Sequence, residues 1–214
     1  MRLVLPRLYV ILDSALLKSS PREAAEELAA AGVRLLQYRD KNAHARELLK
    51  ISSELVGCLA AKGASLIVND RPDVAALAGA RGVHVGQDDL NPENVRAIVG
   101  ADMLVGVSTH NLEQFQRAAE TSVDYLAVGP IFATKSKANP DPVVGLEFIR
   151  QARSLTEKPI VAIGGITLET AKSVVEAGAD CVALISDIVC ASSPAERAKK
   201  YLDALDAANH AAAV

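Results

Sequence analysis

The chain has no tryptophan, and aromatic residues make up only 3% of it. With so few rings, neither base stacking along a nucleic-acid strand nor an aromatic belt at a membrane interface can be built. An excess of positive charge is also missing. The formal net charge is −3, so any anionic ligand must be held by cations placed locally rather than by an overall field. Cysteine is scarce: Cys58, Cys181 and Cys190 are too few and too scattered for a disulfide framework or a zinc site. Cys58 and Cys181 lie in apolar runs and are expected to be buried thiols. No stretch approaches the roughly 20 apolar residues of a membrane span. Near the start, the apolar run Leu3–Leu5 is stopped by Pro6-Arg7, unlike a signal peptide. These absences lead us to expect a reduced, cytoplasmic protein that binds neither nucleic acid nor membrane.

What the chain does contain is a repeated unit. A run of about five apolar, often β-branched residues is followed by a polar or glycine turn and then an amphipathic segment. The runs are Leu8–Leu12, Val33–Leu36, Ser65–Val68, Gly82–Val85, Met103–Val107, Tyr125–Val128, Pro159–Ile163 and Cys181–Ile185. Near-continuous apolarity predicts strands buried on both faces, as in parallel sheets. Helix starts are signalled by Ser20-Pro21-Arg22-Glu23, Asn91-Pro92-Glu93, Thr167-Leu168-Glu169 and Ser193-Pro194. Gly32 and Gly178 mark two of the helix ends. Alternating strands and helices imply right-handed βαβ units. A doubly wound sheet would usually carry a glycine-rich nucleotide fingerprint after its first strand. Here that strand ends in Leu12-Asp13-Ser14, and no GxGxxG or Walker A pattern occurs. The expectation is therefore a single (β/α)₈ TIM barrel spanning residues 1–214, with an Ala-rich tail after Tyr201.

In such a barrel the residues just past each strand share one rim. Asp70 and Asp89 follow the third and fourth strands, where two unscreened carboxylates would repel. A pair of carboxylates completed by substrate phosphate oxygens is a usual way to hold Mg²⁺. Asp70 could instead cap the helix opened by Asn69-Asp70-Arg71-Pro72, and Asp88 or Asp89 could be a turn residue. Arg39 and Lys41 alternate with Tyr38 and Asp40, so both are expected to point to one side as a diphosphate clamp. Lys137 would add a third cation from the long segment Phe132–Val144, the natural lid. After the seventh strand, Ile163-Gly164-Gly165-Ile166 precedes Ile185-Ser186 after the eighth. Barrels commonly bind a phosphate monoester at this position, through backbone N–H groups and a short helix. Two phosphate sites without a nucleophile–base pair suggest leaving-group ionisation and capture by a second substrate.

The motifs Gln37-Tyr38-Arg39-Asp40-Lys41, Val68-Asn69-Asp70, Val83 to Leu90, Gly106-Val107-Ser108, Gly129 to Phe132 with Thr134 to Lys137, and Ile163-Gly164-Gly165-Ile166 resemble the thiamine-phosphate synthase family from Leu8 to about Ile188. The resemblance implies a transferase that joins 4-amino-5-hydroxymethyl-2-methylpyrimidine diphosphate to a thiazole phosphate, releasing pyrophosphate. It assigns Gln37, Arg39, Lys41, Asn69, Ser108 and Lys137 to the pyrimidine diphosphate, and Asp70 and Asp89 to Mg²⁺. Thr134, Ser136, Gly165, Ile185 and Ser186 go to the thiazole phosphate, and Arg39, Lys41, Lys137 and Ser108 to catalysis. Ala133 stands where the family often has Pro, and Ser136 where Thr is common. The rival readings are a thiazole tautomerase and a non-catalytic sensor of a phosphorylated ligand. A homo-oligomer is compatible with all three.

Overall fold

The computed structural model describes residues 3–134 and 141–212, with side chains through residue 207. The eight apolar runs are strands: β1 (Leu8–Asp13), β2 (Leu35–Arg39), β3 (Ser65–Asn69), β4 (Gly82–Val85), β5 (Leu104–Thr109), β6 (Tyr125–Val128), β7 (Ile160–Ile163) and β8 (Cys181–Leu184). Each pairs in parallel with the next, and β8 returns to β1, closing the barrel. The helices are α1 (Pro21–Ala30), α2 (Ala45–Ala60), α3 (Pro72–Ala78), α4 (Pro92–Val99), α5 (Leu112–Ala119), α6 (Gly145–Leu155), α7 (Leu168–Glu176), α8 (Ser186–Val189) and α9 (Pro194–Ala212).

The predicted caps form for local reasons. Ser20 Oγ accepts the Glu23 N–H while Glu23 accepts the Ser20 N–H, a reciprocal box that satisfies two orphan donors of α1. Asn91 accepts the Asn94 N–H at the start of α4. The expected tail after Tyr201 is not a tail. It belongs to α9, which docks through the buried Tyr201 and Leu205 and packs against α1, α7 and α8. An amphipathic face buries apolar area here that a free Ala-rich segment would leave in water. Cys181 is buried as expected, whereas Cys58 is only half-buried and Cys190 is exposed. No helix among the described residues is long and apolar enough to cross a membrane.

The strands alternate after all, but between two apolar environments. Leu8, Val10, Leu12, Leu36, Val68, Val83, Val105 and Leu126 pack outward against the helices. Tyr9, Ile11, Leu35, Ile67, Leu104, Tyr125, Val161 and Cys181 fill the barrel interior. Towards the strands' C-terminal ends the inward series turns polar, giving Asp13, Gln37, Arg39, Asn69, His84 and Ser108. This switch builds the site.

Candidate active site

A cavity of about 520 Å³ opens at that polar end, within the range that encloses small ligands. Gln37, Arg39, Lys41, Asn69, Asp70, Asp89, Ser108, Thr134, Gly165, Ile185 and Ser186 all line it. Ser136 and Lys137, together with Lys135, lie outside the described residues.

Arg39 and Lys41 do point to one side. Tyr38 packs outward and its hydroxyl donates to Asp40, which also accepts the N–H groups of Asn42 and Ala43. The two cations instead reach carboxylates in the cavity: Arg39 pairs with Asp13, and Lys41 with Asp70. Asp13 is the main site residue missed by sequence reasoning. It is the register partner of Arg39 across β1 and β2, so a parallel pairing was needed to find it.

Asp70 does not cap α3. Arg71 occupies the N-cap position, and Asp70 has a left-handed backbone with φ of 59°. Only a few per cent of non-glycine residues adopt this conformation, Asp and Asn most readily. Its N–H donates to the His84 carbonyl at 2.8 Å, so the chain turns there and sends the carboxylate back over the rim. Asp89 closes a tight turn by accepting the Gly86 N–H at 2.8 Å. Its carboxyl is pushed above the usual value of 3.8, first by burial and then by the Asp70 carboxyl beside it, against the pull of the Gly86 N–H. Two carboxylates this close need a proton or a cation between them. Among the described residues no group of three or more His, Cys, Asp or Glu could hold a metal unaided. The pair therefore fits a divalent ion that takes its remaining oxygens from a substrate and water. Asp88, a possible turn residue from the sequence, is exposed and borders the same cavity.

Beneath the cavity lies a second group the sequence left hidden. Gln37 Nε2 donates to the Tyr9 hydroxyl at 2.7 Å, and the Tyr9 and Tyr125 hydroxyls are 3.4 Å apart. Tyr125 meets His84 Nδ1 at 3.1 Å, and His84 Nε2 meets Ser108 Oγ at 2.9 Å. Burial drives His84 down to about 4, so the imidazole is neutral. Just past β5, the His110 ring donates from Nδ1 to the Gly129 carbonyl at 2.6 Å, and its Nε2 faces Asp141 at 3.6 Å.

On the opposite arc, Gly164 and Gly165 have φ of 98° and 63°. A Cβ on Gly165 would lie 2.4 Å from the Ala133 carbonyl oxygen, and one on Gly164 would lie 2.6 Å from Pro130 Cα. These glycines therefore let the segment after β6 close over the turn after β7. Ile185 is the N-cap of the short α8, which begins at Ser186. Asp187 in α8 accepts from Arg197 at 3.0 Å and from the Tyr201 hydroxyl, so α9 braces this end of the cavity.

With this geometry in view, comparison with known proteins gives a consistent result. A profile of the thiamine monophosphate synthase family matches residues 8–188. A thiamine-phosphate synthase of Koribacter versatilis is 54% identical over 208 residues, covering 95% of this chain and 97% of that protein. One from Chloroflexus aurantiacus is 42% identical over 195 residues, covering 91% and 90%. A solved thiamine phosphate pyrophosphorylase from Pyrococcus furiosus superposes with a TM-score of 0.86 at 31% identity, covering 94% of this chain and 96% of that one. The chain belongs to the thiamine-phosphate synthase family.

Proposed function

We propose that the two arcs of the cavity divide the work of thiamine-phosphate synthesis. On this reading Gln37, Arg39, Lys41, Asn69 and Ser108 receive the pyrimidine diphosphate, and Lys137 adds charge from the segment after β6. Thr134, Ser136, Gly165, Ile185 and Ser186 receive the thiazole phosphate. Asp70 and Asp89 would hold Mg²⁺, which when bound would neutralise charge on the diphosphate oxygens.

The chemistry needs no nucleophile or general base from the chain. The C–O bond to the diphosphate breaks, and its electron pair leaves with pyrophosphate. The resulting pyrimidine-methyl cation accepts the lone pair of the thiazole nitrogen, forming the C–N bond with no proton transferred. Arg39 and Lys41 stabilise the charge that collects on the leaving pyrophosphate. They are preorganised for this by Asp13 and Asp70, which fix their positions before substrate arrives. The apolar lining from Ile11, Val161 and Ile163 limits water access to the cation.

The observation that carries this reading is the facing pair Asp70 and Asp89 beside two cations, across the cavity from the Gly164-Gly165 turn. It is tested by following pyrophosphate and thiamine phosphate together. Equal amounts should appear only when both substrates and Mg²⁺ are present. Isomerisation of a thiazole without pyrophosphate release, or binding without turnover, would replace this reading with a tautomerase or a sensor.

A further inference from the structure

We propose that Gln37, Tyr9, Tyr125, His84 and Ser108 form one polarised hydrogen-bond chain under the cavity, whose two ends present opposite hydrogen-bonding character to the ring bound between them: Gln37 accepts and Ser108 donates. The substrate half of this proposal rests on the pyrimidine arc assigned above.

The argument is a count of hydrogens. The chain has four links: Gln37 to Tyr9, Tyr9 to Tyr125, Tyr125 to His84, and His84 to Ser108. Each tyrosine hydroxyl supplies a single hydrogen, and so does the His84 imidazole, which is buried with both ring nitrogens on uncharged hydroxyls. The three interior groups therefore fill three links, and the fourth hydrogen must come from one end. Gln37 supplies it, donating Nε2–H to Tyr9 at 2.7 Å. Tyr9 then donates to Tyr125, Tyr125 to His84 Nδ1, and His84 Nε2–H to Ser108 Oγ. The Ser108 hydrogen remains for the cavity, as does the Gln37 amide oxygen, and both residues line it. Were the amide turned round, every link would reverse and both ends would exchange roles. In neither state do the ends match.

Among the described residues the interior groups have no competing partners. Tyr9, Tyr125 and His84 are buried, with His84 stacked on the Tyr125 ring at 5.6 Å between centroids. Leaving a buried hydroxyl or imidazole nitrogen unpaired is costly, so the chain reverses only as a unit. Gln37 on β2 and Ser108 on β5 approach from different sides of the barrel. A ring lying between them must offer a donor to Gln37 and an acceptor to Ser108. An amino-substituted pyrimidine offers both, through its exocyclic amine and a ring nitrogen. The corresponding oxo-pyrimidine puts a carbonyl where the amine was, opposite the Gln37 oxygen. His84, Tyr9 and Tyr125 are thus positioning residues that select the amino form through the orientation they impose on Gln37 and Ser108.

The test is Tyr125→Phe, which cuts the chain while keeping the ring stacked on His84. Its readout is kcat/KM for the amino-pyrimidine diphosphate and for its oxo analogue, with pyrophosphate release as signal. The intact protein should prefer the amino form by about 100-fold or more, the scale set by an unpaired polar group in a built site. In Tyr125→Phe each half reverses on its own, and the preference should fall to within about tenfold. A merely structural tyrosine would lower both values together and leave their ratio unchanged, which overturns the proposal. Independently, ¹⁵N spectra of the free protein should show His84 as the neutral Nε2–H tautomer, assigned by its loss in His84→Gln. An Nδ1–H tautomer in an active protein overturns the polarity. An Nε2–H tautomer in a protein that releases no pyrophosphate puts the error in the functional reading and removes the substrate half.

Discussion

Replacing Arg39 with Met should cost more stability than replacing both Arg39 and its partner. Asp13 is 7% exposed and Arg39 26% exposed at the side chain, so the pair is largely withdrawn from water. Arg39→Met keeps the aliphatic stem but leaves a buried carboxylate whose remaining partner among the described residues is the Ala15 N–H, at 3.1 Å. Breaking a buried ion pair in this way costs about 3–5 kcal/mol. Because the guanidinium is partly open to the cavity mouth, the lower figure of about 3 kcal/mol applies. In a chain of this length that corresponds to a fall in Tm of about 6–12 °C. Asp13→Asn keeps an acceptor for Ala15 and leaves an arginine that can turn to solvent, costing about 1 kcal/mol. The double variant removes the stranded charge and should recover about 2 kcal/mol relative to Arg39→Met. Thermal unfolding of the four proteins, followed by circular dichroism in EDTA, closes the cycle. Turnover gives a second axis: the double variant should regain stability but stay slow, because the cation proposed to steady pyrophosphate is gone. Additive losses, with the double variant less stable than Arg39→Met, would refute the claim that Asp13 is uncomfortable alone.

Asp70→Ala or Asp89→Ala should each weaken Mg²⁺ activation and lower turnover by about 100-fold or more. Full activity of either in EDTA would remove the metal assignment. The folded value of Asp89 is raised, so its stabilising contribution is complete below the ordinary 3.8 and is lost as pH climbs through that raised value. Without metal, Asp89→Asn should therefore gain on the wild type as pH rises towards neutral, and Mg²⁺ should close the gap in unfolding midpoint. Gly165→Ala puts a Cβ 2.4 Å from the Ala133 carbonyl oxygen at a φ of 63°. It should raise KM for the thiazole phosphate about tenfold, with little change for the pyrimidine diphosphate, as expected from about 1–2 kcal/mol of local strain. Equal rises in both constants would place the two arcs wrongly.

The barrel was legible because all eight strands announce themselves as apolar runs and because capping residues such as Ser20 and Asn91 are local signals. Arg39, Lys41, Asp70, Asp89 and the Gly164-Gly165 turn were legible because Arg39 ends a strand and the others follow one, where one rim gathers them. Asp13 was not, since a lone carboxylate between Leu12 and Ser14 gains meaning only from its register with Arg39. His84 was hidden differently. Its strand reads Gly82-Val83-His84-Val85, and a histidine there looks like an interruption of an apolar run. Only closure of the barrel separates inward His84 from outward Val83 and Val85 and brings it to Tyr125 and Ser108. The left-handed turn at Asp70 was equally out of reach, because Asn69-Asp70-Arg71-Pro72 satisfies the pattern of a helix start one residue too early.

Tyr125 fits the barrel interior because β5 has a glycine opposite it. A Cβ at Gly106 would fall 2.0 Å from Tyr125 Cζ, so the two positions share one volume. Neither can change alone by a useful amount. A side chain at 106 requires a smaller residue at 125, and losing the ring leaves a void that a residue at 106 would have to fill. The pair should therefore be inherited together, drifting as a coupled unit while positions on the outer helices vary freely. A library that randomises 106 and 125 jointly should return folded barrels in two families, Gly with Tyr or a larger residue with a smaller one, with almost nothing between.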